Sequence, residues 1–153
     1  MKVNRKRIVE ETCDIKIDGI TLLSQKEYEA AKKHIPALNH SWWLHSPGYN
    51  SKYAAYVLCN YGYVIRYGYD VAYSIAVRPA LKLVGLKSAN LQIGDNFRLF
   101  GHDWTVVSDT LALCNDSIGE SPFREDYEAE DANNYEASDI KMFVEKWLAR
   151  QLA

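Results

Sequence analysis

The strongest hydrophobic period lies near the end of the chain, where Ile140, Phe143, Val144, Trp147 and Leu148 recur at i, i+3, i+4, i+7 and i+8. That spacing places them on one side of a helix, expected over about 138–151. Ser138 or Asp139 can cap its start, and Lys146 and Arg150 stand where the helix dipole favours cations. A shorter helix is expected over about 25–34. There Ser24 and Glu27 have capping-box spacing, Tyr28 and Ala31 face inward, and Pro36 ends the run.

Elsewhere apolar and polar residues alternate over short runs, the period of half-buried strands. Residues 14–18 and 20–23 read as two strands about a turn at Asp18-Gly19. Further strands are expected over 42–44, 53–59, 63–67, 74–83 and 111–114. Asn60-Tyr61-Gly62 and Tyr67-Gly68-Tyr69-Asp70 read as turns, and 96–100 with 104–107 as a hairpin about Gly101-His102-Asp103. The expected class is α+β: a single domain, residues 1–153, of mostly antiparallel short strands and hairpins with two helices.

Within that plan Trp42 and Trp43 are core candidates, since each indole buries about 150–250 Å² on packing. Ser46-Pro47-Gly48 reads as a forced turn in which Gly48 permits a left-handed backbone. Pro79 lacks a ladder donor, which places a strand edge or bulge beside Arg78. Arg78 itself sits in an apolar run and must be paired with a carboxylate or a carbonyl, as a structural clamp or as a contact to a ligand anion. Residues 86–90 form a loop and the internal boundary between a half over 14–84 and a second over 91–152. A basic arm over 1–13 precedes them, and an acidic surface loop spans 115–137.

Composition changes this picture in one respect. Eleven tyrosines stand against four phenylalanines and four tryptophans. Tyrosine-rich surfaces suit recognition, because the ring offers rigid amphipathic area at low entropic cost. The plainer reading makes several of them ordinary strand residues. A net charge of −2 gives no global case for nucleic-acid binding. Neither a signal peptide nor a membrane span is expected, and three cysteines without a CxxC pair fit a reducing, cytoplasmic setting.

Catalytic motifs are absent. The histidines His34, His40, His45 and His102 are scattered, so no metal is expected, and no phosphate-binding glycine loop occurs. Cys13, Cys59 or Cys114 could meet a histidine in three dimensions as a nucleophile pair, although buried thiols are commoner. The acidic segment lacks calcium-loop spacing.

Trp42-Trp43-Leu44-His45-Ser46-Pro47-Gly48, Ala54-Ala55-Tyr56-Val57, Gly62 and Val77-Arg78-Pro79-Ala80-Leu81 resemble a bacterial and phage family of unknown function, DUF6273, with its WWLRSPG…GVRPAL pattern. Residues 20–28 are similar to the family's segment ahead of the tryptophans. Residues 97–107 and 135–148 resemble the part that normally precedes that half, which implies a circularly permuted order. The resemblance implies a C-type-lectin-like fold and a small phage or prophage protein. His45 stands where the family has Arg, and Ala76 where it has Gly, so no role of that arginine carries over. Glu-Pro-Asn and Trp-Asn-Asp sugar motifs are missing, so calcium-dependent sugar binding does not carry over either.

The function expected is that of a non-enzymatic binding protein without cofactor. Candidate contact residues are Tyr49, Tyr53, Tyr61, Tyr63, Tyr67, Tyr69, Arg78, Glu125, Asp126, Glu128 and Glu130. Trp42, Trp43, Ser46, Pro47, Gly48 and Pro79 form the structural motif. The partner expected is a protein, with host defence machinery the target of an inhibitor of this kind. One alternative is a nucleotide- or sugar-like ligand in a pocket among Trp43, Tyr56, Tyr67 and Arg78. Another is a cysteine-dependent enzyme related to formylglycine-generating oxidases.

Overall fold

The computed structural model describes residues 15–153, so the basic arm and Cys13 lie outside the described residues. These residues form a small α+β fold, mostly strands in two five-stranded sheets with two short helices. The strands are β1 (Lys16–Thr21), β2 (Trp42–Pro47), β3 (Tyr53–Val57), β4 (Val64–Asp70), β5 (Ser74–Ala76), β6 (Ala80–Val84), β7 (Asn96–Leu99), β8 (His102–Val106), β9 (Leu111–Cys114) and β10 (Glu120–Pro122). The first sheet runs β1-β6-β9-β8-β7 and the second β10-β5-β2-β3-β4. Pairing is antiparallel apart from the Trp42–Ala76 bridge between β2 and β5.

Both helices follow their local signals. Helix α1 (Gln25–Ala31) has the full Ser24–Glu27 capping box, buries Tyr28 and Ala31, and tightens into a 3-10 turn over Lys32–His34 before Pro36. Helix α2 (Asp139–Leu152) is capped by Ser138 and buries Ile140, Val144, Trp147 and Leu148.

Four turn or loop expectations need correction, because strand pairing overrides local turn chemistry. Asp18-Gly19 does not turn the chain, because β1 runs through it and takes a bulge against β6 between Ile17 and Gly19. Tyr67-Gly68-Tyr69-Asp70 likewise lies inside β4, where the register with β3 shifts. The β7–β8 connection is Phe100-Gly101, with His102 and Asp103 already paired in β8. The acidic loop over 115–137 contains β10, paired to β5, and drives Phe123 and Ala132 fully into the core.

The Ser46-Pro47-Gly48 expectation also changes. Ser46 and Pro47 belong to β2, with Pro47 opposite Ala54. Gly48 does not take a positive φ. It is required by contact instead, since a Cβ there would lie 2.5 Å from the Tyr67 carbonyl and 2.9 Å from Tyr53 Cβ.

Successive residues of a strand face opposite ways, and this explains the tryptophan pair. Trp43 packs into a large cluster with Phe97, Trp104, Phe123 and the apolar side of α2. Trp42 packs the other way, with Leu23, Tyr28, Leu44 and Leu113. The second sheet is thus covered on both faces. Each indole contributes roughly 5 kcal/mol of transfer free energy by burial. Leu86 and Leu91, on either side of the expected internal boundary, are buried in the same cluster as residues of both halves. Residues 77–79 carry the chain from the second sheet into the first, which is where Pro79 does no harm to a ladder.

Candidate binding surface

Strand β4 forms one edge of the second sheet, and the tyrosines are arranged around it. Gly48 N donates to the Tyr53 carbonyl at 2.8 Å and Tyr49 N to the Tyr67 carbonyl at 2.7 Å, closing the β2–β3 turn onto β4. Gly68 makes that approach possible from the other side: its φ is +97° and a Cβ would meet the Ala54 carbonyl at 2.7 Å. Tyr49 and Tyr67 therefore stack with ring centroids 4.8 Å apart, and Tyr53 leans on Tyr67 at 5.5 Å. Tyr49 is 69% exposed and Tyr67 58%, so the stack is presented to solvent rather than to the core.

The candidate tyrosines do not form one face. Tyr69 lies on the opposite side of the bulged strand, against Trp43, Tyr56 and Tyr73. Tyr61 and Tyr63 stack on each other at 5.9 Å beyond the start of β4. The result is three groups around a rim. Tyr53 is half-buried and serves mainly as support.

The acidic segment meets this rim. Arg124 N donates to the Val71 carbonyl, and Asp139 Oδ2 accepts from Glu125 N at 2.7 Å, so the start of its exposed part is tied to the residue after β4 and to the first turn of α2. Asn133 Nδ2 donates to the carbonyls of Asn50 and Tyr53 at 2.9 and 3.0 Å. Lys52 sits over the ring of Tyr127 at 5.2 Å. Glu125, Asp126, Glu128 and Glu130 are all exposed on this segment. Residues 125–136 carry no Lys or Arg. Tyr127 and Tyr73, both exposed, were missed as candidates; only the three-dimensional approach of Lys52 and Tyr69 marks them.

Arg78 is not part of that surface. It is 1% exposed. Nε donates to the Cys114 carbonyl at 2.7 Å, and Nη2 to the carbonyls of Pro36 and Asn115 at 2.8 and 3.1 Å, while the guanidinium lies over Trp42 at 5.0 Å. Burial lowers its pKa to about 10. Its side chain borders a small cavity of about 150 Å³ with Tyr28, Trp42 and Tyr61. The expected pocket among Trp43, Tyr56, Tyr67 and Arg78 does not exist, because Trp43 and Tyr56 occupy the other face of the sheet from Trp42 and Arg78.

Two other features carry polar chemistry. A cleft of about 1040 Å³ is lined by Ile20, His45, Pro47, Lys82, Tyr135, Lys141 and Glu145 among others. His45 lies 5.6 Å from the Tyr135 ring, and burial pushes the Tyr135 phenol up to about 12. At the end of β9, His102, Cys114 and Asp116 bring their ligand atoms within 4.8 Å of one another. His102 Nδ1 is 2.7 Å from Asp116 Oδ1, and the Cys114 thiol donates to the same oxygen at 3.1 Å. Sequence spacing concealed this convergence, because it depends on the β8–β9 pairing.

Cys114 is fully buried, and burial together with the Asp116 hydrogen bond pushes its thiol up. Burial alone would raise Asp116 too, yet the bonds from Cys114 and His102 hold its carboxyl below the usual range. The trio therefore favours a protonated thiol over a nucleophilic thiolate. Cys59 and Cys114 are free thiols on different sheets, one following β3 and the other ending β9.

Among the described residues no helix is long and apolar enough to cross a membrane. Compared with known proteins, the chain matches no family model, no curated protein and no solved structure.

Proposed function

We propose that this chain is a non-enzymatic binding protein on a C-type-lectin-like scaffold of permuted order, recognising a protein partner that presents a basic surface. The observation that carries this reading is the pair of hydrogen bonds from Asn133 to Asn50 and Tyr53. They anchor the acidic segment on the β2–β3 turn that also carries Tyr49. Stacked tyrosines provide rigid contact area, and the carboxylates provide steering and selection against acidic competitors. In a phage or prophage setting, a host protein that handles nucleic acid, a defence factor among them, fits that chemistry.

The test is capture of partners from the native host by the full chain, with two variants alongside. Y49A/Y67A removes the stack; E125K/D126K/E128K/E130K reverses the charge. A basic protein retained by the wild type, released by salt and lost with both variants supports the proposal. A partner retained equally by both variants overturns it.

A second reading, a module binding a nucleotide- or sugar-like molecule, rests on the large cleft beside His45 and Tyr135. A thermal-shift screen over nucleotides and saccharides tests it, and no shift across the panel counts against it.

A further inference from the structure

We infer that His102, Cys114 and Asp116 form a binding site for one divalent metal ion of the zinc class, in the first sheet and separate from the tyrosine rim. Three donor types meet there: an imidazole nitrogen, a thiol sulfur and a carboxylate oxygen, all within 4.8 Å. Tetrahedral zinc, with bonds of about 2.0–2.3 Å to such atoms, needs neighbouring donors about 3.5 Å apart. The trio lies at 2.7 Å for nitrogen to oxygen and 3.1 Å for sulfur to oxygen, so these two contacts need open by less than 1 Å, while nitrogen and sulfur, no more than 4.8 Å apart, close on the ion. Asp116 has the freedom to make it, with a side chain 61% exposed.

The support around the donors is rigid. His102 and Cys114 are on paired strands β8 and β9, in register Trp104–Cys114. Trp147 walls the His102 ring at 5.8 Å. Asn115, between two of the donors, is pinned through its backbone N to the Asp103 carbonyl at 2.8 Å and through Oδ1 to the Thr105 hydroxyl at 2.5 Å. From the other side Arg78 holds the Cys114 and Asn115 carbonyls. Such outer contacts orient metal ligands.

As a purely hydrogen-bonded trio, the cluster would leave a fully buried thiol donating its weak proton to a carboxylate that water already reaches. Metal binding gives each group a stronger role. The ion takes the sulfur lone pair as the thiol proton leaves to solvent, Nδ1 coordinates with the imidazole proton on Nε2, and Asp116 contributes one oxygen. Two anionic ligands then neutralise the dication, and the exposed side of Asp116 leaves a fourth position open to water. Mixed sulfur, nitrogen and oxygen donors select zinc-like ions over magnesium or calcium.

The probes are zinc and cobalt(II), added to the full chain in a C13S/C59S background so that Cys114 is the one thiol. One equivalent of zinc is expected to bind in competition with a chromophoric chelator. Cobalt is expected to give near-ultraviolet thiolate charge-transfer absorption, abolished by C114S. H102A and D116N, both near the surface and checked for folding by circular dichroism, should each weaken zinc by more than the about tenfold typical of disturbing even an outer contact. No stoichiometric uptake, or uptake unchanged in H102A and D116N, would overturn the site.

Discussion

Arg78 is a buried cation whose partners are three backbone carbonyls rather than a carboxylate. The need for a partner was legible from one charge in an apolar run. Which partner was not, because the carbonyls of Pro36, Cys114 and Asn115 come from 36 to 42 residues away and carry no side-chain signature. The guanidinium fork ties the segment after α1 to the end of β9, so its role is architectural. R78A strands buried acceptors that cost about 1–3 kcal/mol each, less what repacking and water recover. Unfolding free energy should fall by roughly 3 kcal/mol, read as a lower urea midpoint at unchanged slope. R78K should recover only part, because one ammonium cannot serve all three acceptors at the fork's angles.

At the scale of elements, β4 explains both what the sequence disclosed and what it hid. Helix α2 and the β7–β8 hairpin were readable because their signals are local: a heptad-like stripe with a serine cap, and two alternating runs about a glycine. Strand β4 was read too short, since Tyr67-Gly68-Tyr69-Asp70 has turn composition while its pairing partner, β3, dictates a bulge. Strand β10 was invisible, being three residues inside an acidic stretch and stabilised by β5. The separation of Tyr69 from Tyr67 follows from the bulge, which composition does not show. G68A places a methyl against the Ala54 carbonyl in a left-handed backbone and should cost about 1–3 kcal/mol. Under the proposed function it should also weaken partner capture as Y49A/Y67A does. G101A is the control: its φ is also positive, but nothing lies within 4 Å of the added methyl, so only the backbone cost of about 1 kcal/mol is expected, with capture intact.

For the whole molecule, three phenols, Tyr28, Tyr56 and Tyr135, share one direction of pH dependence. Burial raises Tyr28 and Tyr56 and pushes Tyr135 up to about 12. A phenol whose folded pKa exceeds its unfolded value of about 10 stabilises the fold fully below that value, and loses the contribution as pH rises through the folded value. Thermal midpoints should therefore decline from about pH 10 towards 12, and Y135F should flatten part of the decline. A curve unchanged by Y135F would show that Tyr135 is not coupled to unfolding.

The two sheets are interleaved along the chain, and this bears on how the protein is made. Strand β1 finds its partner only at β6, β5 finds β10 some forty-five residues later, and α2 then packs on β1 and β10. A nascent chain stalled after residue 90 would display two strands of the first sheet without β7, β8 and β9, and a second sheet open at β5. Translation thus delivers no half that can close by itself. The ribosome-bound intermediate should be a client for chaperones until the last helix has left the exit tunnel.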